Sequence, residues 1–394
     1  MIIAGGVYRE EVVVPHWSRI FGSGGRAAAA VSAMSPGSHL IAYACREWVC
    51  DVRHSMESFG IVADLTEIEH DIAFHYFHPL SDSELFGAPD DPLNTLSAEG
   101  DAILRFGFVE GDVRVTANRT VFDPQNASEV LRFHENGSTT KHLAIVLNQT
   151  ELQHSTGQLG EAGARLLMDR SSADVVVVKQ GPDGALIVDA SGTAVVPPYR
   201  AESIFKIGSG DIFSGVFACL WAERGLDAPQ AADTASRAVA RYVESRNAQI
   251  DLEALGRASP VGSEIASGRI YVAGPFFTLA QRWMIHEVCR CLHTIGAETF
   301  SPVHDVGFHT SSAFIAEKDL AGLNGCSAVL AIIDGEDAGT LFEVGYARSR
   351  GIPVVALAES PAPESLTMLE GTGCHITSDF CTSIYEAVWK ASKR

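Results

Sequence analysis

Positive charge is scarce in this chain. Its 394 residues include 29 Lys and Arg against 49 Asp and Glu, which gives a formal net charge of −20. Binding to a nucleic-acid backbone depends on clustered cations that displace counterions, so we expect no nucleic-acid partner. Long apolar runs are also missing, since no stretch approaches the roughly 18 to 20 residues that span a bilayer. We therefore expect no membrane partner.

Closely paired cysteines are missing as well. None of the eight cysteines forms a Cys-x-x-Cys pair, the spacing typical of structural zinc sites. The segment around Cys219 is apolar, which is typical of a buried, reduced thiol. Residues 1–8 have no basic flank, and they read as a strand and a turn rather than as a signal peptide. These observations predict a cytoplasmic protein.

Apolar, β-branched runs alternate with amphipathic stretches along the whole chain. This alternation predicts an α/β fold with largely parallel sheets, and the length suits two domains. Residues 251–267 are rich in small residues and show little periodicity, so we predict a linker there. It separates a first domain at 1–250 from a second at 268–394. Residues 49–90 contain four histidines in a spacing that matches no standard metal site, so we favour a β-rich lid there over a metal cluster.

A glycine-bracketed aspartate is the first candidate site. Gly208, Ser209 and Gly210 precede Asp211 at the predicted start of a long apolar helix. Small residues let the backbone approach a phosphate, and the free N–H groups of a helix N-terminus favour an anion. An aspartate there can take the proton of an attacking hydroxyl group. Taken alone, the pattern fits a plain helix-start turn equally well.

Three further motifs accompany the aspartate in chain order. Gly24 and Gly25 enter a predicted helix, Asn148-Gln-Thr-Glu151 follows a buried strand, and residues 175–185 form a strand, a glycine turn and a strand. With the aspartate, this set resembles the ribokinase-like (PfkB) kinase family over roughly residues 1–250. The resemblance implies an α/β/α sandwich with a small β lid. It also implies phosphorylation of a sugar or nucleoside hydroxyl group from ATP with Mg²⁺.

The resemblance implies a role for each matching residue. Asp211 is the expected catalytic base, and the ATP phosphates are expected at Gly208, Ser209 and Gly210. The other expected roles are organisation of phosphate and, indirectly, of magnesium by Asn148 and Glu151, and acceptor binding beside Gly24 and Gly25.

Two features depart from the family pattern. The family usually has Asp-Thr-Thr where this chain has Phe205-Lys206-Ile207. The family's acceptor-binding aspartate after the first strand is also missing, and Glu10 and Glu11 are the candidates to replace it. The altered run at 205–207 supports an alternative hypothesis, in which the first domain is catalytically inactive and senses a nucleotide.

Acidic residues and a tyrosine form a second candidate site near predicted strand ends. They are Tyr271, Asp319, Asp337 and Glu343, the last predicted to open a helix. Ligands bind at the carboxyl ends of parallel strands, and acids that converge there raise one another's pKa values. A carboxylate can trap an oxocarbenium-like sugar covalently while a nearby acid helps the base to leave. For any single acid, a preference for the helix N-terminus is the better explanation, whereas for the whole set a site is favoured.

These segments resemble the nucleoside 2-deoxyribosyltransferase family over roughly residues 268–394. The resemblance implies a flavodoxin-like, doubly wound parallel sheet. Glu343 matches the nucleophile, Asp319 the acid near the base, Asp337 the acid that holds the sugar hydroxyl groups, and Tyr271 the tyrosine that orients the nucleophile.

The loop after the first strand of this domain matches the family's base-stacking loop at Gly274, Phe276 and Phe277. Hydrolases of the same fold that act on nucleoside monophosphates have a Gly-Ser-x-Arg-Gly-Gly phosphate loop there. Its absence favours an unphosphorylated nucleoside. The resemblance implies no cofactor for this domain. It implies a homo-oligomer, because a neighbouring subunit often completes the pocket in the family.

The sequence thus predicts a bifunctional enzyme of nucleoside or deoxyribose metabolism. The second domain would cleave or exchange the base of a (deoxy)nucleoside through a glycosyl-Glu343 intermediate, and the first would phosphorylate a sugar or nucleoside. The expected partners are a nucleoside, a nucleobase or (deoxy)ribose. The alternative is a nucleotide N-glycosidase regulated by an inactive, nucleotide-sensing kinase-like domain.

Overall fold

A computed structural model of the protein describes residues 1–125, 132–261, 268–307 and 311–391. The chain divides into two compact units, the first formed by 1–201 and 205–260 and the second by 202–204 and 261–394. Across the residues so described, no helix is both long and apolar enough to cross a membrane.

The first unit is a mixed α/β structure. Its strands are β1 (Ile2–Ala4), β2 (Arg9–Val12), β3 (Trp17–Ile20), β4 (His39–Cys45), β5 (Val62–Ile68), β6 (Ala73–Tyr76), β7 (Glu84–Phe86), β8 (Leu96–Phe106), β9 (Val113–Asp123), β10 (Thr139–Asn148), β11 (Val175–Lys179), β12 (Ala185–Asp189) and β13 (Gly192–Val196). Its helices are α1 (Gly22–Val31), α2 (Val49–Ser58), α3 (Gln149–Thr156), α4 (Gly160–Ser171), α5 (Ser209–Ala218) and α6 (Ala228–Ser245).

The main sheet of this unit has the strand order β13-β12-β11-β10-β9-β8-β1-β4-β5. The strands from β11 to β5 pair in parallel, whereas β12 and β13 are antiparallel. Strand β11 is apolar and buried from Val175 to Val178, as expected for a parallel strand covered by helices on both faces. This architecture is the ribokinase-like sandwich expected from the sequence. The carboxyl ends of its parallel strands meet at one edge.

A small second sheet with the order β3-β2-β6-β7 forms the lid. The prediction of a lid at 49–90 is wrong for its first part, since 49–58 form helix α2 and β5 pairs with β4 in the main sheet. The physical reason is visible in α2. Its buried residues Val49, Val52 and Met56 recur at the helical period, which a strand cannot bury on one side.

The altered run at 205–207 attaches the lid to the body of the first unit. Phe205 and Ile207 are buried and pack against Val12 of β2, with Trp17 of β3 beside them. The ring centroids of Trp17 and Phe205 lie 5.0 Å apart. The apolar residues that stand in place of Asp-Thr-Thr therefore have a packing role in this chain.

The second unit is a doubly wound sheet. Its strands are β14 (Ile270–Ala273), β15 (Thr299–Phe300), β16 (Ala328–Ile332), β17 (Val354–Leu357) and β18 (His375–Thr377). Its helices are α7 (Leu279–Thr294), α8 (Ser312–Asn324), α9 (Ala338–Ser349), α10 (Thr367–Gly371) and α11 (Phe380–Ala391). The strands run parallel in the order β15-β14-β16-β17-β18, which is the flavodoxin-like order. The order reverses between β14 and β16, and ligands bind beside that point in such sheets.

Candidate functional sites

Tyr271 and Glu343 form the centre of the site in the second unit. Tyr271 is fully buried in β14, and its hydroxyl group donates a hydrogen bond of 2.6 Å to Oε1 of Glu343. The prediction that Glu343 opens a helix is wrong, because α9 begins at Ala338 and places Glu343 in its second turn. Asp337 is the N-cap that starts the helix there, since its Oδ2 accepts the N–H of Thr340 at 2.7 Å.

The pKa of Glu343 lies near neutrality. Burial raises it to about 7, and the charges of Asp319 and Asp337 also raise it, while the hydrogen bond from Tyr271 lowers it. The pKa of the Tyr271 phenol is raised by burial and by the charge of Glu343. The phenol therefore stays protonated and remains a hydrogen-bond donor to the carboxylate.

Asp319 and Asp337 differ in how their carboxylates are satisfied. Within the ranges that the structure describes, Oδ1 of Asp319 on α8 is buried without a hydrogen-bond partner, and burial raises the pKa of this acid. Oδ2 of Asp337 accepts both the N–H and the hydroxyl group of Thr340, at 2.7 and 2.8 Å. Asp319 is thus suited to carry a proton, whereas one oxygen of Asp337 has a capping role.

The predicted base-stacking loop follows directly after β14. A Cβ atom on Gly274 would lie 3.1 Å from the side chain of Ile332, so glycine lets the loop pass close to β16. The rings of Phe276 and Phe277 stack with centroids 5.3 Å apart, and Phe277 is 67% exposed. Gln281 of α7 holds the loop, because its Oε1 accepts the N–H groups of Phe277 and Thr278.

Asp211 is the third residue of α5 and is buried. Its Oδ2 accepts a hydrogen bond of 2.6 Å from Nη1 of Arg26, and its Oδ1 accepts one of 2.8 Å from Nε2 of Gln125. Gly208 at the N-cap has a φ of +76°, a backbone conformation that favours glycine. Ser209 and Gly210, which lie between Gly208 and Asp211, begin the first turn of the helix.

Arg26 connects this aspartate to the lid. The side chain of Arg26 is 1% exposed, and its Nη2 donates to Oε2 of Glu10 on β2. Burial raises the pKa of Glu10, and the charge of Arg26 opposes that shift. Of the two candidates to replace the missing acid, Glu10 lies at the site. Glu11 forms ion pairs with Arg9 and His75 instead.

Asp123 and Lys179 are not identified as site residues by the sequence motifs. They end β9 and β11, and Nζ of Lys179 lies 2.7 Å from Oδ2 of Asp123, which also accepts the hydroxyl group of Ser214 at 2.6 Å. A Cβ on Gly210 would lie 3.4 Å from the same Nζ, so the ammonium group sits beside the start of α5. A polar residue that ends a buried parallel strand is the signal that could have identified both.

Asn148 and Glu151 form a capping box at the start of α3. The Asn148 side chain accepts the N–H of Glu151 at 2.9 Å, and Oε2 of Glu151 accepts the N–H of Asn148 at 2.7 Å. Burial and the charge of Asp123 raise the pKa of Glu151. Oδ1 of Asp123 is buried and has no hydrogen-bond partner in the described part of the chain. Carboxylate oxygens of this kind fit a hard divalent cation such as Mg²⁺.

Gly24 and Gly25 lie in the first turn of α1, close to the loop after β1. The N–H of Gly24 donates to the carbonyl oxygen of Gly6 at 3.0 Å. A Cβ on Gly24 would lie 2.4 Å from the carbonyl oxygen of Gly5, whereas one on Gly25 would find ordinary contacts at 3.9 Å. Close packing therefore explains a glycine at 24 but does not require one at 25.

Two family models match the chain. Residues 119–255 match the family described as pfkB family carbohydrate kinase, and residues 270–377 match nucleoside 2-deoxyribosyltransferase. No curated protein matches it.

Solved structures resemble the fold of the first unit. A crystal structure of fructokinase from Vibrio cholerae O395 with fructose, ADP and a calcium ion is 15% identical, with a TM-score of 0.50; the match covers 65% of this chain and 97% of that one. A ribokinase from Thermotoga maritima is 14% identical with a TM-score of 0.48, and its match covers the same shares of the two chains. At these identities the likeness concerns the fold alone.

Proposed function

Because the chain joins a pfkB-type carbohydrate kinase domain to a nucleoside 2-deoxyribosyltransferase domain, we propose that it is a bifunctional enzyme of nucleoside and sugar metabolism. The second unit exchanges or removes the base of a (deoxy)nucleoside through a covalent glycosyl-Glu343 intermediate. The first unit phosphorylates a hydroxyl group of a sugar or nucleoside from ATP. The observation that carries the proposal is the 2.6 Å hydrogen bond that fixes Glu343 against the buried Tyr271.

In the proposed reaction, a carboxylate oxygen of Glu343 attacks the anomeric carbon of the sugar. The bond from that carbon to the base nitrogen breaks, its electron pair leaves with the base, and Asp319 supplies a proton to the departing base. A second base or a water molecule then attacks the same carbon and gives a proton back to Asp319, and Glu343 leaves as a carboxylate. The raised pKa of Asp319 supports its role as the proton donor.

The remaining groups of the second unit position the substrate in this proposal. Tyr271 holds Oε1 of Glu343, which leaves the other oxygen for the attack. Asp337 binds the sugar hydroxyl groups through Oδ1, since Oδ2 caps α9. Phe276 and Phe277 stack on the base, and Gly274 keeps the loop close to the sheet.

Mass spectrometry of the full chain tests the role of Glu343. After incubation with mixed nucleosides and a free base, the wild type is expected to gain a 2-deoxyribosyl mass and to form exchanged nucleosides. In Glu343→Ala both products are expected to fall by about 10³-fold or more. Free sugar in place of an exchanged nucleoside would indicate a hydrolase. Base release by Glu343→Ala at the wild-type rate would refute the covalent mechanism.

A matched pair of variants on α8 tests the proton donor. Asp319→Asn is expected to slow base release by about 10²-fold, because the donor is lost. Glu317 is exposed and pairs with the neighbouring Lys318, so Glu317→Gln is expected to keep the wild-type rate. Equal rates in the two variants would remove Asp319 from the mechanism.

In the first unit, Asp211 accepts the proton of the acceptor hydroxyl group while the N-terminus of α5, at Gly208, Ser209 and Gly210, binds the phosphate groups. The acceptor lies beside Gly24 and Gly25. A Mg²⁺ ion would be held by Asp123 and, indirectly, by Asn148 and Glu151, and it would screen the charge of the ATP phosphates. ADP release with a panel of sugars and nucleosides measures the activity. Asp211→Asn is expected to lower it by about 10²- to 10⁴-fold.

One observation favours the alternative of an inactive, nucleotide-sensing first unit. Both oxygens of Asp211 already accept hydrogen bonds, from Arg26 and Gln125. In that case the chain would bind ADP with Mg²⁺ but release no ADP from ATP with any acceptor. A nucleotide-dependent rate of base release would then accompany the binding.

Exposed apolar residues support the proposal of a homo-oligomer. Phe277, Leu279, Phe342 and Met368 of the second unit are 67%, 86%, 62% and 74% exposed. Exposed apolar side chains that form a contiguous patch are typical of association surfaces. Light scattering on the purified chain tests this, and a monomer at micromolar concentration would contradict it.

A further inference from the structure

We propose that Arg26 is a further catalytic residue of the first unit, that its guanidinium group contacts the phosphoryl group during transfer, and that Glu10 of the lid positions it. The proposal rests on the proposed kinase function of this unit. It adds to that function a residue of α1 and a residue of β2, neither of which belongs to the glycine-bracketed aspartate motif.

The guanidinium group of Arg26 lies next to the proposed catalytic base, Asp211, and next to Gly208 at the start of α5. Its Nη1 is 2.6 Å from Oδ2 of Asp211. Its Nε is 2.1 Å from the position that a Cβ on Gly208 would take. Gly208 has no side chain with which to cap the ten-residue helix α5. The group therefore borders the point at which a phosphoryl oxygen would meet both the helix N-terminus and the base.

Arg26 has an unused donor in this position. The residue is 1% exposed, and over the residues covered by the structure its Nε has no hydrogen-bond partner. A buried donor without a partner lowers stability. A phosphoryl oxygen would satisfy it with a charge-assisted hydrogen bond. The helix N-terminus and the unused Nε are independent observations, and both indicate an anion here.

Glu10 fixes the direction of the guanidinium group. Its carboxylate accepts from Nη2 of Arg26 and from the backbone N–H of Gly22 at the start of α1. Glu10 is on β2 of the lid and binds Nη2 of Arg26, whereas Asp211 binds Nη1. Tyr76 on β6 also interacts electrostatically with Glu10 and Arg26. The lid and the proposed catalytic base, Asp211, are therefore joined through the buried side chain of Arg26.

The chemistry balances with Arg26 as a donor only. The acceptor oxygen attacks the γ-phosphorus of ATP, the bond from that phosphorus to the bridging oxygen breaks, and ADP leaves with the electron pair. The proton of the acceptor hydroxyl group passes to Asp211. Arg26 donates N–H groups to the oxygens of the transferring group and keeps its charge throughout.

Binding of a mimic of the transferring group tests this without knowledge of the acceptor. The full chain is titrated with ADP and Mg²⁺ in the presence and absence of aluminium fluoride, by calorimetry. Fluoroaluminate is expected to tighten the binding of ADP by the wild type about tenfold or more. In Arg26→Lys this gain is expected to fall about tenfold, because the planar fork is lost, while the affinity for ADP alone changes less than about twofold.

Arg105→Lys is the matched control. Arg105 is also 1% exposed, also has a buried Nε without a partner in the described ranges, and also pairs with an acid, Asp112. Its other donors serve the Phe133 carbonyl oxygen and Ser138. This variant is expected to keep the wild-type gain.

A gain in Arg26→Lys equal to that of the wild type overturns the role of Arg26 and leaves the kinase function standing. The same holds if the wild type binds ADP without any gain. Failure of the wild type to bind ADP at all overturns both. If Arg26→Lys does not fold, Glu10→Gln keeps the arginine and the shape of its partner. A reduction of the gain by about threefold or more is expected there, and an unchanged gain overturns the proposal.

Discussion

The two candidate sites differ in what surrounds their buried carboxylates. In the first unit, Glu10 and Asp211 face Arg26, and Asp123 faces Lys179. In the second unit, Glu343 faces the phenol of Tyr271 and the charges of two further acids. Burial and neighbouring acids raise carboxyl pKa values in both sites, but a buried cation opposes the shift in the first, whereas the hydrogen bond from Tyr271 opposes it in the second.

This difference suits two kinds of chemistry. A paired carboxylate is held in one geometry, and removal of its cation leaves an uncompensated buried charge. A carboxylate without a cation is poorly stabilised when ionised, and a positive charge that develops on a bound sugar would stabilise it. The buried carboxylates of the first site are therefore held in ion pairs. In the second site, Glu343 has no cationic partner among the described residues until positive charge develops on the reacting sugar.

The largest expected effect concerns the cation of the first site. Lys179→Met leaves Asp123 buried without its ion pair, and a loss of about 3–5 kcal/mol in the unfolding free energy of the first unit is expected. Hydrogen exchange of peptides from β9 to β11 at pH 7 measures it. Lys141 is exposed on β10, so Lys141→Met is the control. Equal exchange in the two variants would show that the ion pair is not needed.

The opposite sign is expected in the second unit. The folded pKa of Glu343 is about 7 against 4.5 for the ordinary group, so the folded state binds more protons between these values and loses stability as pH rises through them. Glu343→Gln removes this penalty. It is expected to stabilise the second unit by about 3 kcal/mol at pH 8 and by little at pH 4.5. Hydrogen exchange in β14 and β16 measures this, and destabilisation at pH 8 would contradict the comparison.

The smallest effect concerns the phenol. Tyr271 lowers the pKa of Glu343 through its hydrogen bond, so Tyr271→Phe is expected to move the midpoint of the pH profile of base exchange upward by about one unit. The rate at pH 7 falls and recovers near pH 9. Tyr346→Phe is the control, since Tyr346 is on α9, as Glu343 is, but its hydroxyl group accepts a hydrogen bond from Asn324 at the end of α8. An unchanged midpoint would mean that the phenol does not tune the nucleophile.

The sequence was informative where a motif is local. Alternating runs predicted both sheets, and spacing selected Asp211, Glu343 and Asp319 because their neighbours in sequence carry the pattern. Arg26 and Asp211 are 185 residues apart and Lys179 and Asp123 are 56 apart, so no local pattern shows that they pair.

Two boundaries failed for a related reason. The start of α9 is predicted too late, at Glu343, because Asp337 carries two signals, one of a sugar-binding acid and one of a helix N-cap. The segment 49–68 was assigned to the lid by its irregularity, although the apolar residues of α2 recur at a helical period. In both cases one residue or segment carried two signals.

Phe205 and Ile207 attach the lid close to the ion pair of Glu10 and Arg26. Val12 belongs to that contact, and Glu10 lies two residues away on the same strand, about 7 Å along it. Glu10 therefore lies close to the point at which the lid is attached. A rotation of the lid about this attachment would displace the edge strand β7 farther than the carboxylate of Glu10 that holds Arg26, because β6 separates β7 from β2.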